Sequence, residues 1–283
     1  MVTLPEAIVE RYERFSLYNS PYPAHDRGCA VDLYPGCDDA HSPVAGEVIE
    51  TRSVRCPPKP YAVDEDHLIL VDCGDVVARI LHVDPGVEAG ETVAIGDSLG
   101  TLVRSGFFGQ WVDNHIHLGF RKPRQNLWRA SGSLPLGLDV AVAGVPWDGD
   151  GAVVATGPTH VQLDTPAYAG HGFVALASDE GVPLDGGLAH YTGGGALEPT
   201  DGELSVLGTP VGTATGRNVQ WHDIAVVVHE QNAGAPVRAT GLSLFASQVE
   251  FGAKIVFHEG HEFSVGDRLD VALVSTDEPI RLG

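Results

Sequence analysis

At 283 residues, 43% hydrophobic and 19% charged, the chain is too apolar to be disordered and long enough for two compact units of roughly 100 to 150 residues each. Its 38 Asp plus Glu against 17 Lys plus Arg give a formal net charge of −21. That charge excludes nucleic acid and anionic membrane as partners, because both require clustered cations to displace counterions.

Lysine is confined to Lys59, Lys122 and Lys254, and so acidic a surface fits a halophilic setting in which salt screens the self-repulsion. The opening stretch, MVTLPEAIVERYERFSLYNS, has no basic start followed by an apolar run. Nor does the sequence contain the run of about 18 apolar residues that spans a bilayer, so a cytoplasmic protein is expected. A short helix is predicted around Pro5 to Phe15. Beyond it, short apolar runs separated by Gly, Pro and Asp predict strands, among them Ala45 to Ile49, Leu68 to Val71, Val76 to Leu81, Thr92 to Ile95 and Ile116 to Phe120. With 35 Gly and 19 Pro as punctuation, the fold class is all-β. The Gly- and Pro-rich segment Ser131 to Pro146 marks a boundary between a first domain over 1–135 and a second β-rich domain over 145–283. Cys29, Cys37, Cys56 and Cys73 are expected as free thiols in the absence of a secretory signal, with a Cys37 to Cys56 disulfide left open.

The second half carries a loose echo of the first. ILHVDPGVEAGETVAIGDSLGTLVRSG, from Ile80, aligns with LAHYTGGGALEPTDGELSVLGTPVGTATG, from Leu188. Each has a His near its start and then Gly-x-x-x-Gly-Thr, as Gly96/Gly100/Thr101 and Gly208/Gly212/Thr213. A degenerate copy of the first domain stays open beside a plain β-sandwich, which is favoured because Gly-rich β sequences match by chance.

Of 13 histidines, the informative group is His25, His82, His115 and His117, together with Asp32. In Asn114-His115-Ile116-His117-Leu118-Gly119-Phe120, strand alternation puts both imidazoles on one face and Ile116 and Leu118 on the other. Two imidazoles then share a space, an arrangement that suits a metal or a proton relay. His-Glu-Gly-His-Glu at 258–262 has the wrong spacing for a helical zinc motif and reads as a solvated turn. His190, His222 and His229 read as hydrogen-bonded or exposed, and the four tryptophans as packing residues.

In chain order the first half presents HDRGCAVD, Pro-Val-Ala-Gly-Glu-Val, Ile-Leu-His, a Val-x-x-Gly-x-x-Val-x-x-Gly-x-x-x-Gly series and His-Ile-His-Leu-Gly-Phe. Over about residues 21–121 this order resembles the M23 family of zinc metallopeptidases, the lysostaphin and LytM type. The resemblance implies a lysostaphin-like β domain built on a duplicated hybrid motif, and a Zn²⁺ held by His25, Asp32 and His117. His82 and His115 are then the non-ligating catalytic pair that orients and deprotonates water, and the substrate is a short peptide cleaved at an amide bond. The other reading it implies is a non-catalytic metal-binding module that engages a partner or regulates an assembly. The pattern departs from the family at its first ligand: His25 lies seven residues before Asp32 where four is usual, and Gly28 occupies the usual His position. Gly36 to Ala40 adds about three more residues, and Ile80 stands where an aromatic is common. His41 is the reserve ligand, while Arg79 and Arg121 are weighed as oxyanion partners and read as solvated surface charge.

Overall fold

The computed structural model describes residues 1–231 and 235–282. The chain is nearly all β and divides into two compact units, Met1–Leu17 with Tyr22–Val140, and Tyr18–Pro21 with the chain from Ala141 onward. The break after Val140 falls inside the segment Ser131 to Pro146. The short return of Tyr18–Pro21 to the second unit is not visible as a pattern in the sequence. No helix among the described residues is long and apolar enough to cross a membrane.

The first unit contains β1 (Val2–Pro5), α1 (Glu6–Val9), β2 (Arg14–Ser16), α2 (Pro23–Asp26), β3 (Ala30–Tyr34), β4 (Asp39–His41), β5 (Gly46–Arg55), β6 (Glu65–Asp72) and β7 (Val77–Leu81). It continues with β8 (Val83–Pro85), β9 (Thr92–Val93), β10 (Ser98–Leu102), β11 (Ile116–Arg121) and β12 (Leu136–Asp139). The helix predicted around Pro5 to Phe15 is only the single turn α1. Tyr12 and Phe15 are buried as a helical period would bury them, but Arg14–Ser16 pairs as a strand with β3, Phe15 opposite Leu33 and Ser16 opposite Asp32. Sheet pairing beside β3 outweighs the local helical pattern here.

The main sheet of this unit runs β2-β3-β11-β7-β6-β5-β9, and every neighbouring pair is antiparallel. β-Branched and leucine residues on β6, β7 and β11 fill it: Ile69, Val71, Ile80, Ile116 and Leu118 are all at 1% exposure or less. Beside it, β4-β10-β8 forms a small antiparallel sheet. Gly100 is obligatory in that sheet, because φ is +134° and an added Cβ would lie 2.6 Å from the Gly86 nitrogen and closer still to the Asp84 carbonyl.

The second unit contains β13 (Val142–Val145), β14 (Asp150–Gly157), β15 (His160–Leu163), β16 (Phe173–Leu176), β17 (Leu184–Leu188), β18 (Gly193–Val206) and β19 (Thr209–Trp221). It ends with β20 (Ile224–Glu230), β21 (Val237–Ala239), β22 (Gly241–Leu244), β23 (Ala246–Ser247), β24 (Lys254–Val256) and β25 (Arg268–Ser275). Ten of these strands pair in the order β19-β18-β17-β22-β24-β15-β14-β25-β20-β21 around a core that includes Val161, Leu163, Leu184, Val211, Ile255 and Leu269. Its longest feature is the β18–β19 hairpin, turned at Leu207 and Gly208, both with positive φ, as a two-residue turn of the primed type requires. The Asp179 carboxylate accepts the N–H groups of both turn residues, at 3.1 and 2.8 Å. Gly96 and Gly208 of the aligned strings both take positive φ, but the strands that follow pair differently: β10 with β4 and β8, β19 with β18.

Candidate metal centre

The register of β3 against β11 sets Asp32 directly opposite His117, so the two side chains share a sheet face. His115 precedes β11 by one residue and falls on the same face by alternation. His25 arrives by another route, on the one-turn helix α2, which starts with Pro23 at its first position, where the missing N–H costs nothing. The Gly28 N–H returns to the His25 carbonyl at 2.9 Å and the Cys29 N–H to the Ala24 carbonyl at 2.6 Å. Gly28 itself takes φ +57°, a left-handed conformation that closes the turn. This turn absorbs the additional residues between His25 and Asp32 and carries His25 back over the sheet.

Three ligand-type atoms meet there. His25 Nε2 lies 3.0 Å from His117 Nδ1 and 3.2 Å from Asp32 Oδ1, and His117 Nδ1 lies 3.0 Å from Asp32 Oδ1. His25 Nδ1 donates to the Leu17 carbonyl at 2.8 Å, which turns Nε2 toward the other two atoms. His25 and Asp32 are 2% and 3% exposed. Burial pushes the Asp32 carboxyl up, but the charges of His115 and His25 and hydrogen bonds from His117 and His25 outweigh it and hold the group well below the usual carboxylate range. Burial, opposed by Asp32, pushes both His115 and His117 down to about 4. At neutral pH His115 and His117 are therefore neutral beside an ionised Asp32. A tetrahedral zinc with bonds of about 2.0 to 2.2 Å spaces its ligand atoms about 3.3 to 3.6 Å apart. The observed triangle is within a few tenths of an ångström of that, so the donor set fits the ion.

Two further histidines line the same space. His115 Nδ1 donates to the Asp113 carbonyl at 2.8 Å, and its Nε2 stands 3.5 Å from Asp32 Oδ2. His82, between β7 and β8, has φ +71°, a backbone conformation rare for a non-glycine residue. Its ring stands edge-on to those of His115 and His117, with centroids at 5.0 and 5.7 Å. Phe108 walls the pair, 5.1 Å from the His82 ring and 4.6 Å from His115.

Family models match the chain in two pieces. Residues 3–138 match the N-terminal domain, and residues 143–274 the C-terminal domain, of the domain of unknown function DUF8155. The chain belongs to the DUF8155 family. No curated protein and no solved structure matches it.

All five residues named from the DUF8155 sequence thus lie around one space: His25, Asp32 and His117 at the triangle, His82 and His115 beside it. The reserve residue His41 is elsewhere, on β4, with its Nε2 3.9 Å from Cys37 Sγ. Arg79 and Arg121 are corrected from solvated surface charge to buried anchors, at 5% and 2% exposure. Arg79 Nε donates to the Leu127 carbonyl, and Arg121 Nη1 and Nη2 to the carbonyls of Asn126, Arg129 and Ser131, so both side chains hold the loop after β11. All four cysteines are free. In the second unit His258 and Glu259 occupy a turn, His222 bonds Thr213 at 3.1 Å, and His190 is fully buried.

One participant is absent from the sequence reading. Asp66, on β6 and 0% exposed, faces His82 with Oδ2 2.5 Å from His82 Nδ1. In the sequence it sits in the polar run Val-Asp-Glu-Asp-His before an apolar strand, where nothing separates it from the flanking solvated carboxylates. Its histidine comes 16 residues later, just past the end of the neighbouring strand β7, and a partner that far along the chain has no fixed spacing to betray it.

Proposed function

We propose that this DUF8155 protein is a zinc-dependent metallohydrolase of M23 type that cleaves amide bonds in short peptides. The observation that carries the reading is the convergence of His25 Nε2, Asp32 Oδ1 and His117 Nδ1 within 3.2 Å of one another, with two further imidazoles alongside. Three protein donors leave a fourth position open, as hydrolytic zinc sites require. When bound, the ion would lower the pKa of water and polarise the substrate carbonyl.

The chain's own groups account for the rest. Asp32 and the two ligand imidazoles are fixed by sheet register and by the Leu17 carbonyl, so their lone pairs face inward without rearrangement. His82 and His115 are placed to take a proton from the attacking water and to return one to the departing amine nitrogen. Water oxygen bonds to the carbonyl carbon, the C–N bond breaks, and the proton ends on the amine. Phe108 excludes solvent from this pair. Small-residue peptides, such as oligoglycine, are the substrate class the family likeness favours. On a net charge of −21 with only three lysines, we infer a salt-adapted cytoplasm as its setting.

Metal analysis of the purified protein, alongside His117→Ala, tests the site: one zinc per chain is expected in the parent and none in the variant. A parent without stoichiometric zinc sinks the proposal. With zinc present, His82→Ala and His115→Ala should each retain metal and lose hydrolysis of oligoglycine by about 10²-fold or more. Full activity in both variants contradicts the assigned roles.

A further inference from the structure

We infer that Asp66 is a positioning residue that locks His82 in its Nδ1–H tautomer, leaving Nε2 as the proton acceptor of the metal pocket. The inference rests on the reading of the pocket as hydrolytic, but its geometric part stands independently.

The Asp66 carboxylate is buried and receives four donors. Oδ1 accepts the backbone N–H of His67 at 2.6 Å and that of His82 at 2.9 Å. Oδ2 accepts the Ser105 hydroxyl at 2.7 Å and faces His82 Nδ1 at 2.5 Å. Four donors fill the lone-pair sites of an ionised carboxylate, which has no proton of its own to offer. His82 Nδ1 must therefore carry the hydrogen. Burial pushes the Asp66 carboxyl up, but the hydrogen bond and charge of His82, with Ser105 and the His67 N–H, outweigh it and hold the group at about 2. It stays ionised throughout the working range of an imidazole.

Two features separate this contact from an ordinary structural hydrogen bond. Asp66 holds both the backbone N–H and the ring of His82, at a residue whose φ of +71° must be stabilised from outside. And the held ring is the one packed edge to face with His115 and His117, at 5.0 and 5.7 Å between centroids, so holding its Nδ1 on Asp66 sets how that ring stands against the pocket's imidazoles. When His82 Nε2 takes a proton from water, the imidazolium charge forms beside an existing carboxylate, and the proton leaves again with the amine nitrogen. Asp66 neither gains nor loses a proton in this cycle.

Asp66→Asn is nearly isosteric and tests the role. The amide oxygen can keep the two backbone N–H groups, but its NH₂ then faces His82 Nδ1 and requires a lone pair there, which moves the ring hydrogen to Nε2. Nitrogen-15 NMR of the zinc-loaded full chain, with the His82 resonances assigned by comparison with His82→Gln, should show Nδ1–H in the parent and Nε2–H in Asp66→Asn. Activity on oligoglycine should fall by about 10² to 10⁴ in kcat, with KM and zinc content unchanged. A parent His82 carrying its hydrogen on Nε2 overturns the proposal, as does a kcat of Asp66→Asn within threefold of the parent. The parent tautomer is read without any variant, so it decides even if Asp66→Asn does not fold. A protein that shows the expected tautomers but hydrolyses nothing sinks the hydrolase reading and Asp66's catalytic part, and leaves the positioning geometry intact.

Discussion

Acid should destabilise this protein through His190 in particular, and the size of the effect can be worked out. The ring is 0% exposed, stacked edge-on to Tyr191 at 4.5 Å, and backed so closely by Gly187 and Gly241 that a Cβ at either would collide with a ring nitrogen. Burial first, then the positive charges of Arg281 and His258, push its pKa down to about 3, whereas an unfolded histidine titrates near about 6.5. Between these values the unfolded chain binds the proton and the folded one does not. Stability from this group is therefore complete above about pH 6.5 and is lost as pH falls toward 3. At about 1.4 kcal/mol per pH unit, the loss is about 2 kcal/mol at pH 5 and about 3 kcal/mol at pH 4. Urea denaturation of the parent and of His190→Gln, each from pH 7 to pH 4, isolates the contribution, since every other titrating group is common to both. The variant is expected to be weaker at pH 7 but to lose stability with a shallower slope. Parallel pH curves would show that His190 does not carry the acid sensitivity.

Gly100→Ala should cost at least about 2 kcal/mol, because the new Cβ meets the Asp84 and Gly86 backbone at a positive φ; a denaturant midpoint within error of the parent contradicts the assigned close approach. Toward a soluble thiol reagent, exposed Cys37 should react first and half-buried Cys73 more slowly, with Cys29 and Cys56 reacting only on unfolding; fewer than four thiols under denaturing conditions would reveal a disulfide. With a net charge of −21, thermal stability should climb from low to multimolar KCl, and a melting temperature independent of salt would remove the halophilic reading.

How much of this was legible depended on whether the signal was local. β6, β7 and β11 were visible because Leu68 to Val71, Val76 to Leu81 and Ile116 to Phe120 are apolar runs bounded by turn residues, and burial follows from those runs alone. His115 and His117 were visible as a pair because two-residue spacing fixes their common face. Asp32 and His25 needed the order of motifs as well. What stayed hidden depends on distant pairing. Phe15 and Tyr12 sit at helical spacing, but Phe15 is buried on a strand that only β3 makes possible, and Tyr12 lies in the turn before it. Arg79 and Arg121 look like surface charge until the loop after β11 supplies carbonyls to both. Asp66 is one carboxylate among 38 Asp and Glu residues, and only the return of the chain at His82 singles it out.

The one-turn helix that carries His25 bears on how such sites are to be found. Spacing along the chain is a proxy for where two atoms arrive in space, and a proxy that holds only while the path between them is fixed. Here a proline start and a left-handed glycine lengthen the path and still deliver the nitrogen within 3.2 Å of its partners. A filter demanding His-x-x-x-Asp would discard this chain at its first test. Scanning for an Asp on one strand opposite the second His of an HxH on its neighbour, and accepting any histidine that a preceding turn can bring over that pair, would retain it and others built by the same detour.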